Sequence, residues 1–320
     1  MASETLTTNM STEEKRPKRL PSATVARHRH RPRRTSRWRG WLYVLPAFAV
    51  YLAFVILPGL QALYLSFWHW DGVGPATPAG LDNYTQVLSD PQLRSSIAHA
   101  ALLILFFAGL PIILGLLMAA VLARHERRGS TFFKTLFFLP HVVPLVAVGI
   151  TWRWMYADNG VINSWLRAIG LESVTRAWLG DFTFALPAVG LIGTWALSGL
   201  CMVLFLSGAQ KIDPSLYEAA RLDGAGAVRE FFAVTLPGLR GEIRVAMTVT
   251  VIAALASFDI VYVTTLGGPG DTTTVPSLLI YRLAFSVGKV GQASALGIVL
   301  TLLIGLAVIL INRFVRTQES

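Results

Sequence analysis

The sequence predicts an all-α, polytopic membrane protein, on three observations. First, 53% of the 320 residues are apolar and 14% charged, with a mean hydropathy of +0.55, whereas soluble domains carry roughly a quarter charged residues. Second, six stretches are apolar over the roughly 20 residues that a helix needs to cross about 30 Å of hydrocarbon. They are 41–66, 97–123, 133–156, 184–207, 243–266 and 291–313. Third, no lipid-facing strand alternation is present, so each span must satisfy its own backbone groups as a helix.

The elements follow in order. Residues 1–40, with KRPKRL and RHRHRPRRTSRWR, are polar and basic without apolar periodicity and read as a disordered tail. Arg33 and Arg34 precede an apolar run in the manner of an export signal. That run continues to about Phe67 and further spans follow, which favours an uncleaved first span. The net charge of +10 does not point to nucleic acid, because the basic residues cluster at span ends. On alternate sides of the six spans, 22 of the 28 Lys and Arg fall on one side, the one that holds both termini and the 208–240 loop. By the positive-inside rule that side is cytoplasmic. Cys201 is the single cysteine, so an intrachain disulfide is excluded.

Between the fourth and fifth spans, YEAARLDGAGAVREFFAVTLPG (Tyr217–Gly238) interrupts the hydrocarbon-like sequence. Asp213 and Pro214 supply an N-cap and a first-turn proline for a helix through SLYEAARL. Asp223, Gly224, Ala225 and Gly226 end it, and a second helix over AVREFFAVTL is expected to stop before Pro237. Ala219 and Ala220 let another surface approach the backbone, with Glu218 and Arg221 available for charge pairing at the rim.

YEAARLDGAG with its following LPG resembles the EAA loop of permease subunits from binding-protein-dependent ABC importers. The resemblance implies a type I ABC importer transmembrane domain over 41–316, with a coupling helix that docks on the ATPase. It makes Tyr217, Glu218, Ala219, Ala220, Asp223 and Gly224 the coupling residues. ALYLSFWHWDG, LDNYTQVLSD, FFLPHVVPLVAVGITWRWM, NGVINSWLRAIGL and SFDIVYVTTLGGPGDTT are similar to the carbohydrate-uptake branch, the maltose and glycerol-phosphate type. The likeness covers about 70–318. The chain lacks the extra N-terminal spans and large outer insertion of the best-known maltose subunit, so contacts made there do not carry over. A homologous second permease, a pair of ATPase subunits, an extracytoplasmic solute-binding protein and a sugar-type solute are the implied partners, in a bacterial inner membrane. Outer loops at 67–96, 157–183 and 267–290 would receive the binding protein.

Catalytic signals are absent. LSGAQ (Leu206–Gln210) resembles an ABC ATPase signature, but no G-x-x-x-x-G-K-[ST] phosphate loop accompanies it. The six histidines show no metal spacing and no nucleophile triad is visible, so no enzyme activity, cofactor or metal is expected. For a solute path, Trp195, Ser198 and Gly199 form one patch of ring and small polar surface. Thr250, Ala254 and Ser257 form a second stripe that equally suits tight helix packing. Asp259 reads as the only carboxylate well inside a span, either functional or hydrogen-bonded near a helix end. On Asp259 alone rests the alternative, an ion-coupled secondary carrier. Prolines 111, 140, 144 and 187 are either hinges or ordinary membrane-helix prolines.

Overall fold

The computed structural model describes residues 37–123 and 130–314. The predicted tail up to residue 36, the basic residues Arg124, Arg127 and Arg128, and both termini lie outside the described residues. The chain divides into a unit ending at Leu52 and a larger one from Ala53 onward. The first carries α1 (Arg37–Tyr51).

The larger unit opens with α2 (Leu57–Leu65) and a short antiparallel pair, β1 (Trp68–His69) with β2 (Thr77–Pro78), in the register Trp68 to Pro78 and His69 to Thr77. Then come α3 (Asp82–Ser89), α4 (Pro91–Ile104), α5 (Leu110–Ala123), α6 (Ser130–Val142), α7 (Leu145–Met155), α8 (Val161–Ala168) and α9 (Ala185–Ala209). A hairpin of α10 (Pro214–Leu222), α11 (Ala227–Glu230) and α12 (Leu236–Gly238) follows. The chain ends with α13 (Arg240–Leu255), α14 (Asp259–Thr264), α15 (Pro276–Tyr281) and α16 (Val290–Phe314).

Helix α9 is the central element. Of its most apolar window 72% is buried, against 28% for Pro91–Leu122 and 17% for Val290–Phe314. Its glycines explain part of this: a Cβ at Gly199 would collide with the Phe137 carbonyl oxygen, so α6 crosses α9 at backbone distance. Its own Ile192, Met202 and Phe205 are wholly buried.

The six predicted spans resolve differently. Four helical stretches are long and apolar enough to cross a membrane: Tyr43–Leu65, Pro91–Leu122, Ala185–Ala209 and Val290–Phe314. The second begins before residue 97 because the Asp90 carboxylate caps Gln92 N–H at 2.8 Å ahead of Pro91. The predicted span 133–156 is a pair, Thr131–Val142 and Leu145–Met155, bent by 98°. Pro144 breaks it by lacking an N–H and by pushing Val143 away from helical dihedrals. The predicted span 243–266 is also broken, with Ala256 at ψ 8 and Phe258 at φ −127 between α13 and the six-residue α14.

Three further prolines leave a different mark. π turns at Leu52–Ile56, Leu105–Gly109 and Phe231–Thr235 each end two residues before a proline, Pro58, Pro111 and Pro237. A proline cannot donate to the carbonyl four residues back and its ring crowds it. The leucine before it then reaches one residue further, Leu110 N to Leu105 O and Leu236 N to Phe231 O. Helical turns therefore run on through Gly238, where the sequence predicted a stop before Pro237.

Candidate functional site

The hairpin between α9 and α13 is built by local signals. The Asp213 carboxylate accepts the Ser215 N–H at 2.9 Å, and Pro214 occupies the first turn, where its missing N–H costs nothing. Hydrogen bonds from Ser215, backbone first, hold the Asp213 carboxyl below its ordinary value of 3.8. Gly224, at φ +77, ends α10 in the left-handed region, with Ala225 N closing back on Ala220 O at 2.9 Å. Glu218, Ala219, Asp223 and Gly224 are exposed, while Tyr217 and Ala220 are half-buried.

Two polar contacts tie α10 to its return leg. The Tyr217 and Thr235 hydroxyls lie 3.1 Å apart, and Arg221 Nε donates to Glu230 Oε1 at 2.8 Å. That bond raises the pKa of the Arg221 guanidinium. Arg221, expected at the rim for a partner, bonds Glu230 while its side chain stays 63% exposed; Glu218 is exposed as well. Glu230 is the residue that sequence reasoning missed, and a lone acid in the apolar run AVREFFAVTL was the signal available. Apolar side chains meanwhile face outward: Leu222 is 89% exposed and Val228 71%. Apolar surface on a polar projection marks a docking face.

The larger concavity lies elsewhere. A cavity of about 1040 Å³ opens between α5, α6, α7 and α9, walled by Trp152, Tyr156, Trp178, Phe184 and Trp195. Trp152 and Trp195 meet edge to face with ring centres 5.6 Å apart. Ser198 and Thr194 also line it; the Ser198 hydroxyl donates to Thr194 O within α9, and the Thr194 hydroxyl donates across to Phe106 O in the π turn at Leu105–Gly109.

The predicted path residues are therefore split. Trp195 and Ser198 share the cavity, and Gly199 instead makes the close crossing with α6. Thr250 and Ala254 are wholly buried in α13 and do not line it. The Thr250 hydroxyl donates to Ala246 O at 2.7 Å. Ser257 sits at the α13–α14 break, its Oγ buried without a hydrogen-bond partner among the described residues. Asp259 is exposed at the first position of α14. An acid there suits a helix N-terminus. It gives an ion-coupled carrier no buried titratable group. Trp152, Tyr156 and Trp178 join the wall unforeseen; WRWMY carried the signal, since Trp152 and Tyr156 are one turn apart.

At the far end of α13 and α14 from the hairpin, TLGGPGDTT folds around Asp271. Its carboxylate accepts from Arg282 Nη1 at 2.6 Å, Thr274 Oγ1 at 2.9 Å and Gln92 Nε2 at 3.0 Å. Arg282, then burial's opposing effect, then Thr274 set a net downward shift of its pKa.

Residues 111–319 match the family described as binding-protein-dependent transport system inner membrane component. The chain belongs to this family. A probable ABC transporter permease protein of Bacillus subtilis, YurN, is 36% identical over 88% of this permease and 97% of its own length. A diacetylchitobiose uptake system permease protein of Streptomyces coelicolor is 35% identical over 85% of this permease and 81% of its own length. A lactose transport system permease protein of Rhizobium radiobacter is 34% identical over 77% and 83%. In fold, the permease is similar to a chain of a bacterial ABC transporter involved in import of the acidic polysaccharide alginate. That match has a TM-score of 0.73 at 23% identity and covers 88% of this permease and 96% of that chain. The protein is thus a permease subunit of an ABC importer, an inner-membrane component with an all-α, type I importer fold.

Proposed function

We propose that this permease forms half of the translocation pathway for a sugar or oligosaccharide, with α10 receiving an ATPase subunit. Tyr217, Glu218, Ala219, Ala220, Asp223 and Gly224 make the docking face, and a homologous permease supplies the other half. A solute-binding protein meets the end that carries Asp271, and both termini lie with α10 on the cytoplasmic side. The observation that carries this reading is the hairpin, a short helix with small, exposed residues and outward Leu222 and Val228, standing between α9 and α13.

The sugar class rests on two supports. Relatives are named for diacetylchitobiose and lactose, and the cavity beside Trp195 and Ser198 presents aromatic faces on which a pyranose ring stacks. The hydroxyls of Thr194 and Ser198 donate to backbone carbonyls, so toward a sugar they offer their acceptor oxygens.

Uptake of labelled mono-, di- and oligosaccharides into cells that carry the chain and its partners tests the proposal. One saccharide is expected to be taken up, with uptake lost on Glu218→Lys while the protein stays in the membrane. Uptake of amino acids or peptides, with no saccharide carried, contradicts it.

A further inference from the structure

Helix α10 has an unusual problem for an element expected to transmit force: it buries none of its residues. Leu216 and Leu222 are exposed at 53% and 89%, so hydrophobic packing does not fix its angle to the return leg. Among the described residues, polar rungs join the legs from Tyr217 to Thr235 at 3.1 Å and from Arg221 to Glu230 at 2.8 Å. Tyr217 and Arg221 are four residues apart and share one face of α10.

Their partners need an explanation. Glu230 and Thr235 are five residues apart, which on a regular α-helix places them about 140° apart around the axis. The π turn over Phe231–Thr235 inserts one extra residue per turn and brings both back toward the face of α10. That turn is set by Pro237, whose missing N–H and crowded ring make Leu236 N reach Phe231 O. Both partners are well held: Glu230 is 5% exposed and Thr235 8%. The Arg221–Glu230 bond is charge-assisted and the Glu230 side chain is 6% exposed, which makes it the stronger rung.

We propose that Arg221 and Glu230 are positioning residues for energy coupling: with Pro237 setting the π turn that aims Glu230, they lock α10 to its return leg so that a push on α10 reaches α13. The inference rests on α10 being the ATPase-docking helix, and the hairpin leads into α13 through Leu239, which is wholly buried.

The test uses the assembled transporter with its ATPase, second permease and binding protein. Glu230→Gln keeps shape and removes charge; Arg221→Gln removes the other partner. Each is expected to raise amide hydrogen exchange over Pro214–Leu222 about tenfold, as loss of a charge-assisted bond does, and the double variant to add little beyond either single one. Pro237→Ala, which leaves both charged residues in place, is expected to raise the same exchange. Each variant is expected to transport several-fold less solute per ATP hydrolysed, with ATP hydrolysis retained. Unchanged exchange, fully additive effects, or unchanged solute per ATP would overturn the proposal. Cross-linking from position 220 to the ATPase is read in parallel. With Arg221, Glu230 and Pro237 intact, failure of an Ala220→Cys variant in the Cys201→Ala background to cross-link sinks the docking reading, while the exchange results still report on the rungs themselves.

Discussion

The side-chain amide of Gln92, at the start of α4, donates to the carboxylate of Asp271 at 3.0 Å, across 179 positions of sequence. With Arg282 and Thr274 on the same carboxylate, this contact staples the first turn of α4 to the TLGGPG loop. The loop is therefore held as a fixed surface, the property that a docking site for a binding protein requires.

Asp271→Asn removes the charge that Arg282 meets. The Asp271 side chain is 45% exposed, so after solvent screening the loss is about 1 kcal/mol, or roughly fivefold faster amide exchange over 266–275. The pH sense follows from the lowered pKa. The ionised carboxylate is favoured in the folded loop, so its stabilisation is complete above the ordinary 3.8 and fades as pH falls through the shifted value. Exchange measured at pH 5 and at pH 3 in detergent checks this, with the difference between wild type and Asp271→Asn expected to shrink at the lower pH.

Gly224 and Gly226 sit two residues apart and are expected to respond differently. No heavy atom lies within 4 Å of a Cβ at either position, so crowding plays no part. Gly224 has φ +77 and Gly226 φ −76. Gly224→Ala should cost about 1–2 kcal/mol through the left-handed backbone alone. Gly226→Ala should fall within about 0.5 kcal/mol of neutral, since a less flexible unfolded chain offsets a poorer N-cap. Protection of α10 in hydrogen exchange distinguishes the two.

Gly199→Ala places a methyl against the Phe137 carbonyl. Overpacking of this kind costs about 1–3 kcal/mol, so the detergent-solubilised protein should melt several degrees lower. Gly297→Ala, where no atom lies within 4 Å, should be neutral or slightly stabilising.

Trp195→Ala strips the most exposed indole from the cavity wall, at 45% exposure, along with its edge contact to Trp152. Saccharide uptake should fall about tenfold, the equivalent of roughly 1.4 kcal/mol, with membrane insertion and cross-linking of the hairpin unchanged. Ala254→Ser, on the buried stripe, should leave uptake within about twofold.

Much of this architecture was legible. The Asp213–Pro214 start and Gly224 stop of α10 are local chemistry, and the structure has both. The same Asp–Pro signal at 90–91 starts α4, yet the span was placed from residue 97, because hydropathy marks where apolar residues begin and not where a capped helix begins. Pro144 announced a break, but its 98° angle depends on how closely α6 meets α9 at Gly199, a contact 62 positions from Phe137 that no local pattern encodes. The break at Ala256–Phe258 carries no Gly or Pro at all. A span drawn straight through it hides that Asp259 opens a new helix, and small residues at helical spacing do not tell a path from packing; Thr250 and Ala254 are buried within this chain. The partner of Arg221 was hidden for a different reason: aiming Glu230 needs the π turn, and a helix drawn at 3.6 residues per turn points it elsewhere.

The central claim is that α10 takes up force from an ATP-hydrolysing neighbour. Cys201 is wholly buried; once it is replaced by alanine, a single cysteine at Ala220 gives a defined probe in the assembled transporter. The account predicts that this cysteine cross-links to the ATPase subunit, with a yield that changes between nucleotide-free and ATP-bound states. A cysteine that never cross-links to the ATPase, or that is labelled from outside the cell by a membrane-impermeant maleimide, would contradict it.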